Sequence, residues 1–498
     1  EQAAQTVFDL RRILDAEPAD QIEAGTLLAQ IQAERRRYEN AAATLERVVE
    51  IRREQGESEP LARALWRWGA NLADSKQFDR AIEVFSEARN LFAELGLETE
   101  ALEMREQIGI AHENSGAYRQ ALDVYRAASG AWVERGNEQA AGENMKRVGR
   151  VYLHRLIDYP NAESAFRQAK EHFENVGAPR DVLESTLDLA RVDQRFGRFE
   201  QAVEKARSVE TEASQAGFDL TELDAILVRA FIEWERADYL AAFRAQSDGL
   251  RMARDLGNAP FEIIALNTGG LIHWSLNDTE KALESFDQAL ERARAGLFEI
   301  EVATTLNNRA LVYRSMERFD EALDDLAAAR EIDERQRNKW GLGYVNKNTG
   351  ITYLQMDDAP RALPPLRTAR TLTREIGDRT NEAKTLAALG DALRLTDQPD
   401  DAHATYKNAL EISRALPLPE VEWRSLYGLA LLALDDGNRD EAEEKLAEAI
   451  EVVEQLRARI RVEEFQDGFL MDKTGLYDDM IALQLDKGEV QSAFQYSE

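Results

Sequence analysis

The sequence predicts an all-α solenoid, which is a stack of helical hairpins, and three observations predict it. A motif recurs at a nearly constant spacing through most of the 498 residues of the chain. Each copy contains two amphipathic helical segments joined by a short turn. Glycine-containing turn signals fall between the two segments and between the copies. A single hairpin cannot bury its apolar face alone, so successive hairpins must stack against one another.

The recurring motif is an aromatic or turn residue, two polar residues and then an alanine, as in Phe78-Asp79-Arg80-Ala81. We call this alanine the anchor. The anchors are Ala41, Ala81, Ala121, Ala162, Ala202, Ala242, Ala282, Ala322, Ala362, Ala402, Ala442 and Ala493. The differences between successive anchor numbers are 40, 40 and 41, then 40 seven times, and finally 51. Chance does not produce that register, so the repeat defines the fold.

Two further positions keep the register of the anchors. A small residue stands twelve positions before most anchors: Ala29, Gly69, Gly109, Ala190, Ala230, Gly270, Ala310, Gly350, Gly390 and Ala430. In the copy anchored on Ala162, Gly149 comes one step earlier. The residue four positions after the anchor is often large, as in Phe85, Tyr125, Phe166, Phe286 and Tyr406. We expect the small residue to let two helices approach and the large residue to fill the space between them. Gln246 departs from this pattern, and so does Ile481.

These small, aromatic and anchor positions resemble the tetratricopeptide repeat (TPR) family over about residues 20–450. The spacing between anchors is longer than that of the common TPR, which is about 34 residues. It is similar to the long-helix variant found in kinesin light chains and in adaptors for polarity and receptor clustering. The resemblance implies a right-handed TPR superhelix whose first helices line a concave groove for partners. We expect about eleven hairpins over residues 1–455, followed at 456–498 by a linker helix and an atypical last repeat.

The segment from residue 456 differs from the array before it. An arginine-rich stretch runs from Leu456 to Phe465, and a final hairpin ends with Ala493-Phe494. This arrangement resembles the junction that links TPR arrays to caspase-like CHAT peptidase domains in prokaryotic proteins. The resemblance implies a catalytic His and Cys beyond residue 498, so neither can be assigned in this chain. The alternative is an ordinary capping repeat with an elongated helix.

Charge and composition exclude several classes of function. The chain has 62 Lys and Arg against 93 Asp and Glu, a net charge of −31, which disfavours nucleic-acid binding. It has no Cys, which excludes disulfides and thiolate zinc sites. The longest uncharged apolar run, Leu426 to Leu434, is too short to span a membrane. We expect a cytoplasmic protein without a membrane partner. The chain begins at Glu1 and not at Met, so a cleaved export signal would leave the same start.

Catalytic and metal-binding motifs are missing from the sequence. The five histidines fall in different repeats, and no HExxH or GxSxG motif is present. Gly341-Leu342-Gly343 lies inside a helical unit with no strand before it, so it does not predict a dinucleotide site. We therefore predict no catalytic, cofactor or metal site in this chain. Whether the full-length protein is an enzyme stays open, because a cysteine peptidase domain would lie beyond residue 498.

Surface side chains of the first helices are the remaining candidates. Register positions 18, 15, 11 and 8 before the anchors should face the groove. In the second and third copies they include Arg63, Trp66, Glu103, Glu106 and Glu113. Toward the C-terminal half, with neighbouring asparagines, the candidates are Asn267, Trp274, Asn307, Asn308, Arg314, Lys347, Asn348, Lys384, Arg394, Arg424 and Tyr427.

These candidates predict a peptide-binding groove. A ladder of Asn can hold the backbone of an extended peptide, and nearby Lys and Arg would favour an acidic one. The alternative is that the same side chains satisfy hydrogen bonds between repeats or pair with the abundant Glu.

Three functions are compatible with the sequence. The first is a protein-interaction scaffold that binds a partner protein or an extended peptide in the groove. The second is the sensor region of a larger CHAT-type protease, which the segment from residue 456 favours. The third is a structural protein that self-associates through the ends of its solenoid.

Overall fold

The computed structural model describes residues 17–156, 158–236, 238–416, 418–458 and 473–497. These residues form 24 α-helices and one π-helical turn. The chain divides into two compact units, one up to Val192 and one from Asp193 onward. The predicted all-α fold of stacked helical hairpins is confirmed. No helix of the described ranges is both long and apolar enough to cross a membrane.

The helices alternate between first and second members of hairpins. The first nine are α1 Pro18–Glu34, α2 Tyr38–Gln55, α3 Ser58–Asp74, α4 Phe78–Glu94, α5 Glu98–Asn114, α6 Tyr118–Glu134, α7 Glu138–Val151, α8 Tyr159–Val176 and α9 Pro179–Arg195, which spans the boundary between the two units. Beyond it they are α10 Phe199–Ala216, α11 Asp219–Glu235, α12 Tyr239–Asp255, α13 Ala259–Ser275, α14 Thr279–Ala295, α15 Glu299–Ser315, α16 Phe319–Arg335, α17 Lys339–Gln355 and α18 Ala359–Ile376. The chain continues with α19 Arg379–Leu395, α20 Pro399–Ala415, α21 Pro419–Asp435, α22 Arg439–Arg457, α23 Thr474–Lys487 and α24 Val490–Ser497.

Polar caps and tight turns define where the helices begin and end. The Asp238 and Asp278 carboxylates each accept a hydrogen bond from a backbone N–H in the first turn of the helix that follows. Between α5 and α6, Gly116 has a φ of +84°. The Gly116 and Ala117 N–H groups donate back to the end of α5. These local signals explain why helices of similar length recur with turns of few residues.

The anchor alanine is the fourth residue of every second helix among the described hairpins, and all twelve anchors are buried. The small residue twelve positions earlier packs against the large residue four positions after the anchor, as expected. A Cβ added at Gly69 would lie 2.6 Å from Phe85 Cε1, and one at Gly270 would lie 2.6 Å from Phe286 Cζ. Such distances leave no room for a methyl group, so Gly is required where the partner is aromatic.

Where the small residue is Ala, the facing residue is smaller than an aromatic. Ala310 and Leu326 share one core cluster, and Ala430 and Leu446 share another. Gln246, the departure noted in the sequence, is buried and donates from Nε2 to the Ala265 carbonyl over 3.0 Å. Its amide thus finds an acceptor in α13, which makes a polar side chain tolerable at this core position.

The longer spacing before Ala162 has a structural cause. A π-helical turn, Tyr152–Leu156, extends α7, and the Asp158 N–H donates to the Tyr152 carbonyl over 3.0 Å. One extra residue inside a helix is commonly accommodated as a π-turn. The insertion follows Gly149, which therefore keeps its place against Phe166. The register of the following hairpins is unchanged.

The last hairpin, α23 and α24, docks onto its predecessor. Leu476 and Met480 share a core cluster with Trp423 and Leu446. The Gln484 amide also donates to Glu443 over 2.8 Å. The predicted linker helix from residue 456 falls mostly on residues 459–472, which lie outside the described residues.

Candidate peptide-binding groove

The first helices of consecutive hairpins in the second unit pack side by side. Contacts join α11 to α13, α13 to α15, α15 to α17, α17 to α19 and α19 to α21. Residues at positions 6, 9, 10, 13 and 16 of these helices follow helical spacing and share one side of each helix. We call this surface the first-helix face. It contains all eleven candidates that the sequence predicts for the groove.

The predicted asparagines largely connect neighbouring hairpins. Asn267 donates from Nδ2 to Thr305 Oγ1 over 2.9 Å, which joins α13 to α15. Asn348 donates from Nδ2 to Asn307 Oδ1 over 2.8 Å, which joins α17 to α15. Asn308 is half-buried and has no side-chain hydrogen bond to any described residue. These bonds use part of the capacity that a backbone-binding ladder would need.

The two predicted aromatic residues also connect hairpins. Trp274 donates from Nε1 to Ser315 Oγ over 3.0 Å. The Tyr427 hydroxyl donates to Asp479 Oδ2 over 2.7 Å and so reaches the last hairpin. Burial, followed by the hydrogen bond and the charge of Asp479, raises the pKa of Tyr427. Each ring is partly buried, so its polar atom needs an acceptor.

Lys347 is a buried cation on the first-helix face, with a relative exposure of 8%. Its Nζ donates to Asn381 Oδ1 over 3.1 Å and lies 4.7 Å from the centre of the Tyr344 ring. Burial lowers the pKa of Lys347 to about 7, and the charges of Lys384 and Arg314 lower it further while Asp378 opposes them. A lysine held by an amide oxygen and an aromatic ring lacks the carboxylate that usually accompanies a buried charge.

Two arginines of the same face have unused donors. Arg314 Nη1 and Arg394 Nε are both buried and have no hydrogen-bond partner among the described residues. Burial, followed by repulsion from Arg424, lowers the pKa of Arg314 to about 10. An unsatisfied buried donor of a charged group is costly, so these atoms need an acceptor, a water molecule or a ligand, that is not among the described residues.

Lys384 and Arg424 are exposed at position 6 of α19 and α21. The Arg424 guanidinium lies 5.2 Å from the centre of the Trp423 ring. We call Arg314, Lys347, Lys384, Arg394 and Arg424 the cationic cluster. Within the described ranges, four of its members make no ion pair with a carboxylate: Arg314, Lys347, Lys384 and Arg394.

One partly buried carboxylate lies beside the cationic cluster. Asp391 accepts a hydrogen bond from the Tyr406 hydroxyl over 2.6 Å. Burial raises the pKa of Asp391, whereas that hydrogen bond and the charges of Arg424 and Arg394 lower it. Together with Asp378 it offsets part of the positive charge. Because the other four cluster residues, Arg314, Lys384, Arg394 and Arg424, outnumber these two carboxylates, a net positive charge remains on this part of a strongly acidic chain.

The first-helix face of the first unit has a different character. The Glu106 carboxylate accepts hydrogen bonds from Trp132 Nε1 over 2.6 Å and from Asn144 Nδ2 over 2.7 Å. Glu113 accepts one from the Tyr125 hydroxyl over 2.9 Å. Arg63 pairs with Glu59 over 2.9 Å in the same helix. These carboxylates have partners of their own. Burial and then the charges of Glu100 and Glu106 raise the pKa of Glu103 on the same face, so this face is acidic where that of the second unit is cationic.

Sequence reasoning missed several residues of the site. Asn381 accepts a hydrogen bond from Lys347, and Asp391 accepts one from the Tyr406 hydroxyl. The Tyr344 ring packs against the Lys347 ammonium group. Trp340 packs against Tyr344 with ring centres 4.3 Å apart and is 36% exposed. The repeat register could have identified two of these residues, because Tyr344 is at position 6 of α17 and Asp391 is at position 13 of α19. In the described parts of the chain, no group of three or more His, Asp or Glu could hold a metal ion.

Family profiles match parts of the chain. Residues 265–295 and the overlapping stretches 301–375 and 345–415 match tetratricopeptide repeat profiles. These stretches are similar to TPR repeats. Residues 114–221 match the profile of soluble NSF attachment protein, SNAP, and residues 23–77 and 423–459 match that of anaphase-promoting complex subunit 5. The TPR matches cover α15, α17 and α19, which hold most of the cationic cluster.

Individual proteins are similar to the chain over longer stretches. Protein KINESIN LIGHT CHAIN-RELATED 3 of Arabidopsis thaliana is 24% identical over 341 residues, which cover 65% of this chain and 50% of that protein. The Tetratricopeptide repeat protein 36 homolog of Drosophila pseudoobscura pseudoobscura is 37% identical over 86 residues, or 17% of this chain and 44% of that protein. The chain thus spans about half the length of the curated relatives it matches.

Solved structures share the TPR-type fold. A Rap protein complexed with Competence and Sporulation Factor has a TM-score of 0.50 and 14% identity, and the match covers 72% of this chain and 98% of that one. At this identity the likeness concerns the fold alone. It agrees with the predicted solenoid of TPR hairpins.

Proposed function

We propose that this chain is a protein-interaction scaffold whose cationic cluster binds an acidic segment of a partner protein. The cluster itself carries the proposal: five cations lie on four successive first helices, and two of them have buried donors without an acceptor among the described residues. The TPR repeats support a scaffold, because stacked hairpins present long surfaces for partners. The proposal assigns no catalytic step to this chain.

Electrostatics favour an acidic ligand at this place. The chain has a net charge of −31, so most of its surface repels acidic proteins and nucleic acids. The cationic cluster is therefore a local exception. A carboxylate ligand would satisfy the free donors of Arg314 and Arg394 with charge-assisted hydrogen bonds. The solved Rap protein was obtained with Competence and Sporulation Factor, and this complex supports a binding role for such a fold.

The test uses a fluorescein-labelled hexaglutamate peptide and fluorescence anisotropy. We expect one site per chain, with an affinity that falls as salt is added. The exposed cations are replaced in the variant Lys384→Gln/Arg424→Gln, which should bind about tenfold more weakly. The matched control is Arg251→Gln in the same unit, because Arg251 is exposed and pairs with Asp248. Equal affinity of the double variant and the control would overturn the proposal.

The alternative function is the regulatory region of a larger CHAT-type caspase-like protease. Its support is the resemblance of the segment from residue 456 to a CHAT junction, and much of that segment lies outside the described residues. The measurement is the intact mass of the protein made from its natural gene, with peptide mapping beyond residue 498. Peptides with a His and a Cys in caspase-like strands would favour the protease. A mass near 56.3 kDa would leave the scaffold.

We also propose a cytoplasmic location and a protein rather than a nucleic-acid partner. The choice of partner rests on composition, since the chain is strongly acidic. Cell fractionation tests the first. The second is tested by anisotropy with a labelled duplex DNA at low salt, where binding would contradict it.

A further inference from the structure

The cationic cluster is compact rather than spread along the array. Arg314 lies on α15 and Arg424 on α21, three hairpins later, and yet each is close enough for repulsion to matter. Lys347 on α17 feels both Arg314 and Lys384 on α19. The cations of four first helices therefore lie within electrostatic range of one another.

The donors at this place are mostly guanidinium groups. Arg314 Nη1 and Arg394 Nε are buried and unsatisfied among the described residues. Arg424 is held over the Trp423 ring and Lys347 over the Tyr344 ring, which keep these cations in place. Guanidinium groups bind phosphate oxygens in a planar, often bidentate geometry, and several arginines together suit an anion with several oxygens.

Charge points in the same direction. Four side chains of the cluster besides Lys347 are cationic at neutral pH, and Asp391 and Asp378 are carboxylates that act on cluster residues. One carboxylate of a ligand would neutralise a single positive charge. A phosphoryl group carries about −1.5 to −2 at neutral pH and offers three acceptor oxygens to the unsatisfied donors.

We propose that the group anchored in the cationic cluster is a single phosphoryl group on a side chain of the partner protein. The inference rests on the proposed function, because it names the chemistry of the segment that the scaffold binds. Two observations carry it: the two unsatisfied guanidinium donors, and the lack of ion pairs at four cluster residues within the described ranges. The asparagines of the first-helix face then hold the hairpins in the spacing that makes the cluster compact.

Calorimetry with two small probes at equal ionic strength tests the inference. Phenyl phosphate and benzoate share the aromatic ring and differ in the anionic group. We expect phenyl phosphate to bind at one site per chain and at least about tenfold more tightly than benzoate. The variant Arg314→Gln/Arg394→Gln should lose that preference. Arg251→Gln, an exposed arginine outside the cluster, should keep it.

Folding of the variants is controlled by circular dichroism. The exposed pair Lys384→Gln/Arg424→Gln gives a second test, since neither residue is buried. We expect it to weaken phenyl phosphate binding at least about fivefold. An unchanged affinity in both double variants would overturn the inference.

The affinities of a phosphoserine-containing peptide and of free O-phosphoserine are compared. The comparison shows whether the phosphoryl group belongs to a partner protein or to a small molecule. A peptide that binds at least about tenfold more tightly supports a partner protein, because the flanking chain adds contacts. Equal affinities would overturn that part and favour a small phosphorylated molecule. If hexaglutamate binds and phenyl phosphate shows no preference over benzoate, the phosphoryl inference fails and the proposed function stands. If neither hexaglutamate nor phenyl phosphate binds, the proposed function fails as well.

Discussion

Asn348 donates a hydrogen bond to Asn307 over 2.8 Å, and the two residues belong to first helices of consecutive hairpins. The bond is partly buried and links α17 to α15. This amide pair therefore belongs to the interface between hairpins. Arg314 and Arg394, on the same first-helix face, have donors without such partners among the described residues. The asparagines of this face thus connect hairpins, whereas the arginines are the candidates for binding a ligand.

The first prediction concerns this amide pair. Asn307→Ala should lower the free energy of unfolding by about 1 kcal/mol, because it leaves the buried Asn348 amide without its acceptor. Hexaglutamate affinity should change little. Urea unfolding and anisotropy measure the two effects. Asn308→Ala is the control, since Asn308 has no side-chain hydrogen bond to a described residue. A loss of affinity without a loss of stability would restore the asparagine ladder that the sequence predicts.

The second prediction concerns Gly69 and Phe85. A methyl group at Gly69 would lie 2.6 Å from the Phe85 ring, so Gly69→Ala should destabilise the first unit by about 1–3 kcal/mol. The second change Phe85→Leu should recover part of the loss, because Ala faces Leu in other hairpins. Gly130→Ala is the control, since nothing lies within 4 Å of its added Cβ. Thermal melts that show equal effects at Gly69 and Gly130 would contradict the packing argument.

The third prediction concerns the pH dependence that Lys347 causes. Its pKa is about 7 in the folded chain against 10.5 when unperturbed, because it is buried near Lys384 and Arg314, with Asp378 opposing them. Between these values the unfolded chain binds a proton that the folded chain does not. Stability should therefore rise with pH from about 7 to 10, by up to about 1.4 kcal/mol per unit from this group.

Lys347→Met isolates that contribution. The variant should be more stable than the parent at pH 6, and the difference should shrink by pH 9. Urea unfolding at both pH values measures it, and the difference between the proteins cancels the titration of other groups. Hexaglutamate should bind the parent more weakly as pH rises through 7, since Lys347 loses its charge. A constant stability difference between the two proteins would show that Lys347 titrates normally.

The fourth prediction concerns a buried carboxylate away from the cluster. Glu233 is fully buried, and Arg207 and Arg236 both donate to it. Arg236→Gln should destabilise the second unit by about 3 kcal/mol, because it leaves a buried charge with one exposed partner. The double variant Glu233→Gln/Arg236→Gln should cost less than Arg236→Gln alone. Additive losses in urea unfolding would indicate that the two residues are not coupled.

The hairpin register was predictable because it depends on short-range rules. The anchors, the small residues and the large residues recur at fixed helical offsets, and helical geometry converts such offsets into faces. The packing of Phe85 on Gly69 follows from that register alone. The same register puts the eleven candidates at positions 6, 9, 10 and 16 of the first helices, and their role in peptide binding stays a prediction.

Sequence offsets could not decide which of those candidates would have partners. Asn307 and Lys347 occupy the same register position on successive helices, and yet Asn307 accepts a bond from the next hairpin while Lys347 is buried without a carboxylate. The difference depends on how far each helix is turned and displaced relative to its neighbours. That displacement is the sum of many packing contacts, which no single repeat contains.

The sequence by itself determined the helical hairpins, their order, the twelve buried anchors and the acidity of the chain, because these follow from local periodicity and composition. Only the tertiary structure decided that Arg314, Lys347, Arg394 and Arg424 approach one another. The physical reason is distance: electrostatic repulsion and desolvation act over a few ångströms in space. Residues from different hairpins come that close only when the helices stack.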